Sequence, residues 1–299
     1  MIINREVLNS KPVREERCTD IDLFEYTLET ASIMNNDIIL FTESIGGKGK
    51  KIIDFGAIIN AIIEGLINAI KKIFRKFFAF LAELASIGSS FEIELRSFKD
   101  KIKALDKSVN IDFPYYEFTN LDEGFPPFDI YDKITKLVTP TNLQSEFALE
   151  DKRNTFRAML LKNKESKDSD YAVTLFNFFR NGGTPNSNLT IPGNIIYDKF
   201  YTPYIDARKE LSKIKKEEDN VEKNIRQIKM KIKKEISSSK FNTEDSTKSI
   251  ELQRQVCTCL DLISQDLLIF YGQKLQAYKD YKLQSRKVLV CAIKACIVD

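Results

Sequence analysis

Three observations predict a mainly α fold for this chain. Apolar residues recur at three- and four-residue steps over most of its length, which is the helical spacing. Gly- and Pro-rich stretches punctuate these runs instead of falling inside them. Period-two alternation is confined to one short stretch around Ile111, Phe113 and Tyr115. The expected architecture is a long amphipathic N-terminal helix, a compact helical middle with an irregular aromatic segment, and a C-terminal antiparallel helical hairpin. Four regions follow: 1–47 (a first helix and a glycine hinge), 48–88 (the amphipathic helix), 89–194 (the middle) and 195–299 (the hairpin).

Residues 19–44 read as the first helix, with Thr19 or Asp20 as N-cap and Ile21, Phe24, Leu28, Ile33 and Ile38 on one face. The run IGGKGK at 45–50 interrupts it. It lacks the spacing and the preceding strand of a phosphate loop and reads as a hinge. The next helix, residues 48–87, carries a long apolar stripe of Ile52, Phe55, Ile59, Ile62, Ile63, Leu66, Ile70, Ile73, Phe77, Phe80, Leu81 and Leu84. Asn60, Glu64, Asn68, Lys71, Arg75 and Lys76 form its polar side, and Gly88 marks its expected end. A shorter helix over about 90–107 places Phe91, Leu95, Phe98, Ile102 and Leu105 on one face.

Pro114, Pro126 and Pro127 exclude a continuous helix over 109–130, which reads as an aromatic loop packed over the helices. Helices are expected at 127–138, 141–163 and 169–180, the last stopped by Asn181-Gly182-Gly183. GGTPNSNLTIPG is the clearest surface loop. A long helix over 195–236 then repeats Leu211, Ile214, Val221, Ile225, Ile228 and Ile232 at heptad positions. After a linker at 237–249 the chain reverses. The returning helix, 250–298, offers Leu252, Val256, Cys259, Ile263, Leu267 and Phe270 as its matching stripe.

Composition narrows the function classes. The chain has no histidine, which removes the commonest general base, the commonest zinc ligand, and both Ser-His and Cys-His nucleophile pairs. Five cysteines without framework spacing read as buried thiols in a reducing compartment. DEGFPPFD at 122–129 lacks the order of a calcium loop. Neither cofactor nor small-molecule substrate is implied, and the reading is non-enzymatic. A net charge of +3 gives no general case for nucleic acid. The basic run at 224–236 sits on a heptad helix with acids just upstream, which favours a solvated face over phosphate contact.

No secretory signal or transmembrane span is read from the sequence. The basic cluster Lys71, Lys72, Arg75 and Lys76 beside Phe74, Phe77, Phe78 and Phe80 is the pattern of a helix lying in a membrane interface. Its extent favours protein as the covered surface, with lipid as the alternative.

Four motifs carry a resemblance: LFTESIGGKGK (40–50) ahead of the Ile/Phe/Lys-rich helix, DFPYYEFTNLD (112–122), FFRNGG (178–183), and the long charged C-terminal helix. Their layout resembles a loose group of virion structural proteins of large tailed bacteriophages. The resemblance implies a non-catalytic virion component, inside the capsid or near the neck or tail, whose partners are other virion proteins or copies of itself. It also implies a candidate maturation cleavage after Glu43. The alternative function is a membrane-active helical protein acting during genome delivery.

Overall fold

The computed structural model describes residues 25–30, 55–121, 129–138, 147–162, 164, 170–205, 207–237 and 246–298, without the side chains of 85–90, 129–130, 132, 147–148, 207–211, 235–237, 246–249 and 298. After a helical turn at 25–30 come α1 (Phe55–Ser97), α2 (Lys99–Lys103), α3 (Asp129–Leu137), α4 (Phe147–Leu160), α5 (Tyr171–Phe179), α6 (Gly193–Ile196), α7 (Thr202–Ile205), α8 (Ala207–Ser237) and α9 (Ser246–Val298). Two three-residue strands, β1 (Val109–Ile111) and β2 (Leu189–Ile191), complete the described elements. The fold is mainly α, as the periodicities predict.

The axis of the molecule is α9. From Cys259 through Arg286 no residue of this helix is exposed, a stretch of about 42 Å at 1.5 Å per residue. A helix buried on every side must be covered by several elements at once. Phe74 of α1 lies against Tyr271, Phe179 of α5 against Phe270, and Phe118 of the aromatic segment against Tyr281. The turn at 25–30 closes another side: a Cβ added to Gly272 would come within 2.6 Å of the Thr27 Cβ. Gly272 thus trades helix propensity, about 1 kcal/mol relative to alanine, for this close approach. Gly272→Ala is expected to free the 25–30 turn, seen as faster proteolysis after Glu25 or Glu29, while α9 stays helical by circular dichroism. Unchanged proteolysis would show that the notch is not what holds the turn.

Contacts along α1 fix the directions of the long helices. Phe74 meets Tyr271 and Phe77 meets Tyr278, so α1 and α9 run parallel. Glu64 meets Arg226, Lys71 meets Glu222 and Lys215 lies over Phe78, so α1 and α8 run antiparallel. The two C-terminal arms are therefore antiparallel, but they do not pair with each other as the expected hairpin would. Both pack more extensively on α1 than on each other, and the seam residues Ile214, Val221, Ile225, Ile228 and Ile232 are buried in the core that α1 shares.

Three boundaries differ from expectation. Gly88 does not end α1, which continues to Ser97 because Leu84 on one side of the glycine and Phe91 and Leu95 on the other are all held in the core. The helix expected at 90–107 is thereby split between the end of α1 and α2. The helix expected from Ile195 is interrupted by a π-helical turn, Tyr197–Tyr201, and Pro203 supplies the cause. Proline has no N–H to donate to the Lys199 carbonyl four residues back, and its ring crowds that position. The freed Lys199 carbonyl accepts the Tyr281 hydroxyl at 3.2 Å instead. The hinge expected at 45–50, Ile52, the Leu211 side chain, Glu43 and Cys18 lie outside the described residues.

The short extended piece foreseen near Ile111 is β1, antiparallel to β2 with Val109 opposite Ile191 and Ile111 opposite Leu189. A further bridge joins Tyr115 to Asn186. This ribbon packs with Phe91, Leu95, Phe200, Val288 and Leu289 into a second, smaller apolar cluster around the later part of α9. Asn181, Gly182 and Gly183 end α5 with positive φ, as read from the sequence.

Candidate functional site

The apolar stripe of α1 is the first candidate, and its surroundings are decisive. Phe55, Ile59, Ile62, Ile63, Leu66, Ile70, Ile73, Phe77, Phe80, Leu81 and Leu84 are all buried within the chain itself, Ile59, Ile73 and Phe77 completely. The expectation that these residues form a face for another subunit is thereby corrected. The stripe is core, covered by α9 on one flank and α8 on the other. Ile58, Ile67, Ala69 and Phe74 are buried as well, so the apolar arc is wider than a single stripe. A helix with two partners needs such an arc.

The same packing draws Lys71 out of the basic cluster and leaves Lys76 exposed. Lys71 pairs with Glu222 of α8 at 2.8 Å, and the Lys76 ammonium sits 5.3 Å from the centre of the Tyr26 ring. Lys72 and Arg75 are exposed. Along the α8 flank runs a ladder between α1 and α8: Glu64 accepts from Arg226 and Lys229, both at 2.9 Å, and Glu222 accepts from Arg226 and Lys71. Glu64 is held below its ordinary carboxylate range chiefly by the Lys229 hydrogen bond, and Glu222 chiefly by the one from Lys71. Folding support from both is present above their unfolded pKa and is lost as pH falls through the lowered folded value.

The second candidate, which sequence reasoning did not find, is a belt of buried polar groups on α9. Asp266, with no exposure, receives the Arg157 guanidinium at 2.7 and 2.8 Å and Arg153 at 2.8 and 2.9 Å. The Arg157 guanidinium also lies 4.5 Å from the Tyr171 ring centre, and the Tyr171 hydroxyl donates to the Asp266 backbone carbonyl at 3.1 Å. Further along, Arg180 pairs with Asp280 at 2.5 Å while its guanidinium covers the Phe176 ring. Gln284 clamps the extended aromatic segment like a strand partner. Its Oε1 accepts from the Tyr116 N–H and its Nε2 donates to the Tyr116 carbonyl, both at 2.8 Å.

Lys282 is buried between the Pro203 carbonyl and the rings of Tyr278 and Tyr281. Tyr131 and Tyr271 share a hydroxyl–hydroxyl hydrogen bond of 2.6 Å, and burial pushes both phenols up. Each of these groups faces another side chain or backbone of the same chain, and the belt's chemistry is that of locking elements onto α9.

The remaining titratable groups fit the same pattern. Burial raises Cys257 and Cys259 to about 12. Such thiols stay protonated at neutral pH and are poor nucleophiles. Among the described residues no group of three or more His, Cys, Asp or Glu is placed to hold a metal ion, and no helix is long and apolar enough to cross a membrane.

Asp261 is the exception to the well-paired belt. Burial raises it to about 6, Gln265 donates to one carboxylate oxygen at 2.9 Å, and the other is buried without a partner. A carboxyl whose folded pKa exceeds its unfolded value binds more protons in the folded state, so stability falls as pH rises from about 4 to about 6. Asp261→Asn is expected to stabilise the protein by about 1–3 kcal/mol at pH 7 and by little at pH 4. Thermal melts at the two pH values check this; equal effects at both would remove the ionisation as cause.

No family model, curated protein or solved structure matches this chain.

Proposed function

We propose that the protein is a non-enzymatic structural component of a bacteriophage virion, acting as a self-contained, stiff helical element. The observation that carries the structural part is α9, 53 residues in one helix, about 80 Å at 1.5 Å per residue, sheathed on all sides through its middle. A long helix so covered resists bending and gives its attached elements fixed positions. The virion part rests on the resemblance of the 40–50, 112–122 and 178–183 motifs. Contacts to other virion proteins, or to copies of the chain, use the outer polar faces, since the apolar arc of α1 is occupied internally. Mass spectrometry of purified particles tests the reading: the protein is expected among their constituents, and its absence from them would remove the virion role.

Lys72 and Arg75, exposed on α1, are the observation behind a second reading, charge attraction of the chain to an anionic membrane surface, in which the internally covered apolar arc takes no part. Its test is flotation with anionic vesicles. A lipid-active chain rises with them, and Lys72→Glu combined with Arg75→Glu weakens that binding; a chain left at the bottom of the gradient ends the reading.

A further inference from the structure

We propose that α8 is a releasable strap, a helix that lifts from the flank of α1 as a unit while α1, α9 and the belt between them stay folded. The proposal goes beyond the structural role above and does not depend on the virion assignment.

Its basis is the contrast between the two interfaces of α1. On the α9 side, Phe74, Phe77 and Phe80 are buried, with Tyr271, Tyr278 and Lys279 against them. On the α8 side, the described buried apolar residues contributed by the strap are Ile214, Val221, Ile225, Ile228 and Ile232, about one per turn and none of them aromatic. Interleaved with them are buried polar groups, Glu218 and Asn224. Asn60, on the same side of α1 as Glu64 and Lys71 by helical spacing, has its Oδ1 buried without a hydrogen-bond partner.

What supplements these contacts is the ladder of Glu64, Lys71, Glu222, Arg226 and Lys229. Its members are partly open to solvent, Glu64 by 39% and Arg226 by 45%. Ion pairs in such positions are weak and screened by salt. An interface of aliphatic side chains without aromatic partners, interleaved with buried polar groups and solvated ion pairs, belongs nearer the low-stability end of a fold, where local opening precedes global unfolding.

The other elements around α8 have their own anchors. The helix α3, which also touches α8, is tied to α9 through Tyr131 and Tyr271. Lifting α8 therefore leaves α3 in place and uncovers Phe78, over whose ring Lys215 of α8 lies. The ladder thus makes ionic strength the control on how often this flank opens.

Amide hydrogen exchange on the full-length protein, resolved by peptide, tests the proposal. Amides of 214–232 are expected to exchange through an opening that leaves 263–285 protected, and high salt is expected to accelerate the first set alone. Glu222→Gln, which removes the negative charge facing Lys71 and Arg226, is expected to speed α8 exchange by about twofold to thirtyfold, the range for weakening two partly exposed pairs. As a second measurement, a thiol introduced by Ile225→Cys, on the buried face of α8, should label in step with α8 opening, whereas one introduced by Ile73→Cys, on the α9 side, should label only on global unfolding. Exchange of 214–232 and 263–285 at one common rate, or salt-independent exchange of α8, would overturn the strap. So would equal labelling of the two introduced thiols.

Discussion

Asp266→Ala is expected to destabilise the protein by about 3–5 kcal/mol, enough to unfold much of it at physiological temperature. The reason is the uncompensated charge left behind. Arg157 is 3% exposed and its two short bonds both end on Asp266. Arg153, at 19%, can turn toward water; Arg157 cannot without tearing α4 from α9. The measurement is urea denaturation followed by circular dichroism, with the midpoint falling and the slope unchanged. A double replacement, Asp266→Leu with Arg157→Met, separates the cost of an orphaned charge from the net worth of the pair. Because the desolvation of both ions disappears together, the double variant is expected to recover most of the loss. A double variant as unstable as Asp266→Ala would show instead that the ion pair itself holds α4 in place.

The second large effect is expected at Phe77. This residue has no exposure, and its ring meets Tyr278 edge-on with centroids 6.0 Å apart. Phe77→Ala removes a large buried side chain from the junction of α1 and α9 and opens a cavity that the surrounding rings fill only in part, so about 3–5 kcal/mol of stability is lost. A residue on a face reserved for another subunit behaves differently, since its truncation weakens association and leaves the isolated chain as stable as before. The same urea titration, run at two protein concentrations, distinguishes the two. A concentration-independent loss marks an internal core residue.

The sequence made α1 legible because its apolar residues follow one helical period without interruption. Ile58, Ile67 and Phe74 escaped because a single stripe assumes a single partner, and Phe74 sits next to Arg75 in a locally basic stretch. The identity of the partner was not legible at all. Periodicity says that a face is covered and is silent about whether the cover comes from the same chain. Ile214, Val221, Ile225, Ile228 and Ile232 of the α8 seam are buried, but the assignment of α9 as direct partner missed the helix from far upstream that both arms pack on.

The central part of α9 was hidden more deeply. Gln273, Lys274, Lys279, Lys282 and Gln284 are polar or charged, yet all are buried. Three of them hydrogen-bond to groups far away in sequence: Gln273 to Arg180, Lys282 to the Pro203 carbonyl, Gln284 to the Tyr116 backbone. No period within α9 could announce them. The one local sign was that apolar residues fall on every side of this helix, the pattern of an element surrounded by others.

The claim on which the rest depends is that the chain covers the apolar arc of α1 with its own helices. Hydroxyl-radical footprinting of the dilute protein measures this most directly, because it reads side-chain exposure one residue at a time. Phe74, Phe77 and Phe80 are expected to stay unmodified in the native state and to react only once denaturant has unfolded the chain. Modification of these three phenylalanines in the native monomer, at rates typical of exposed rings, would contradict it.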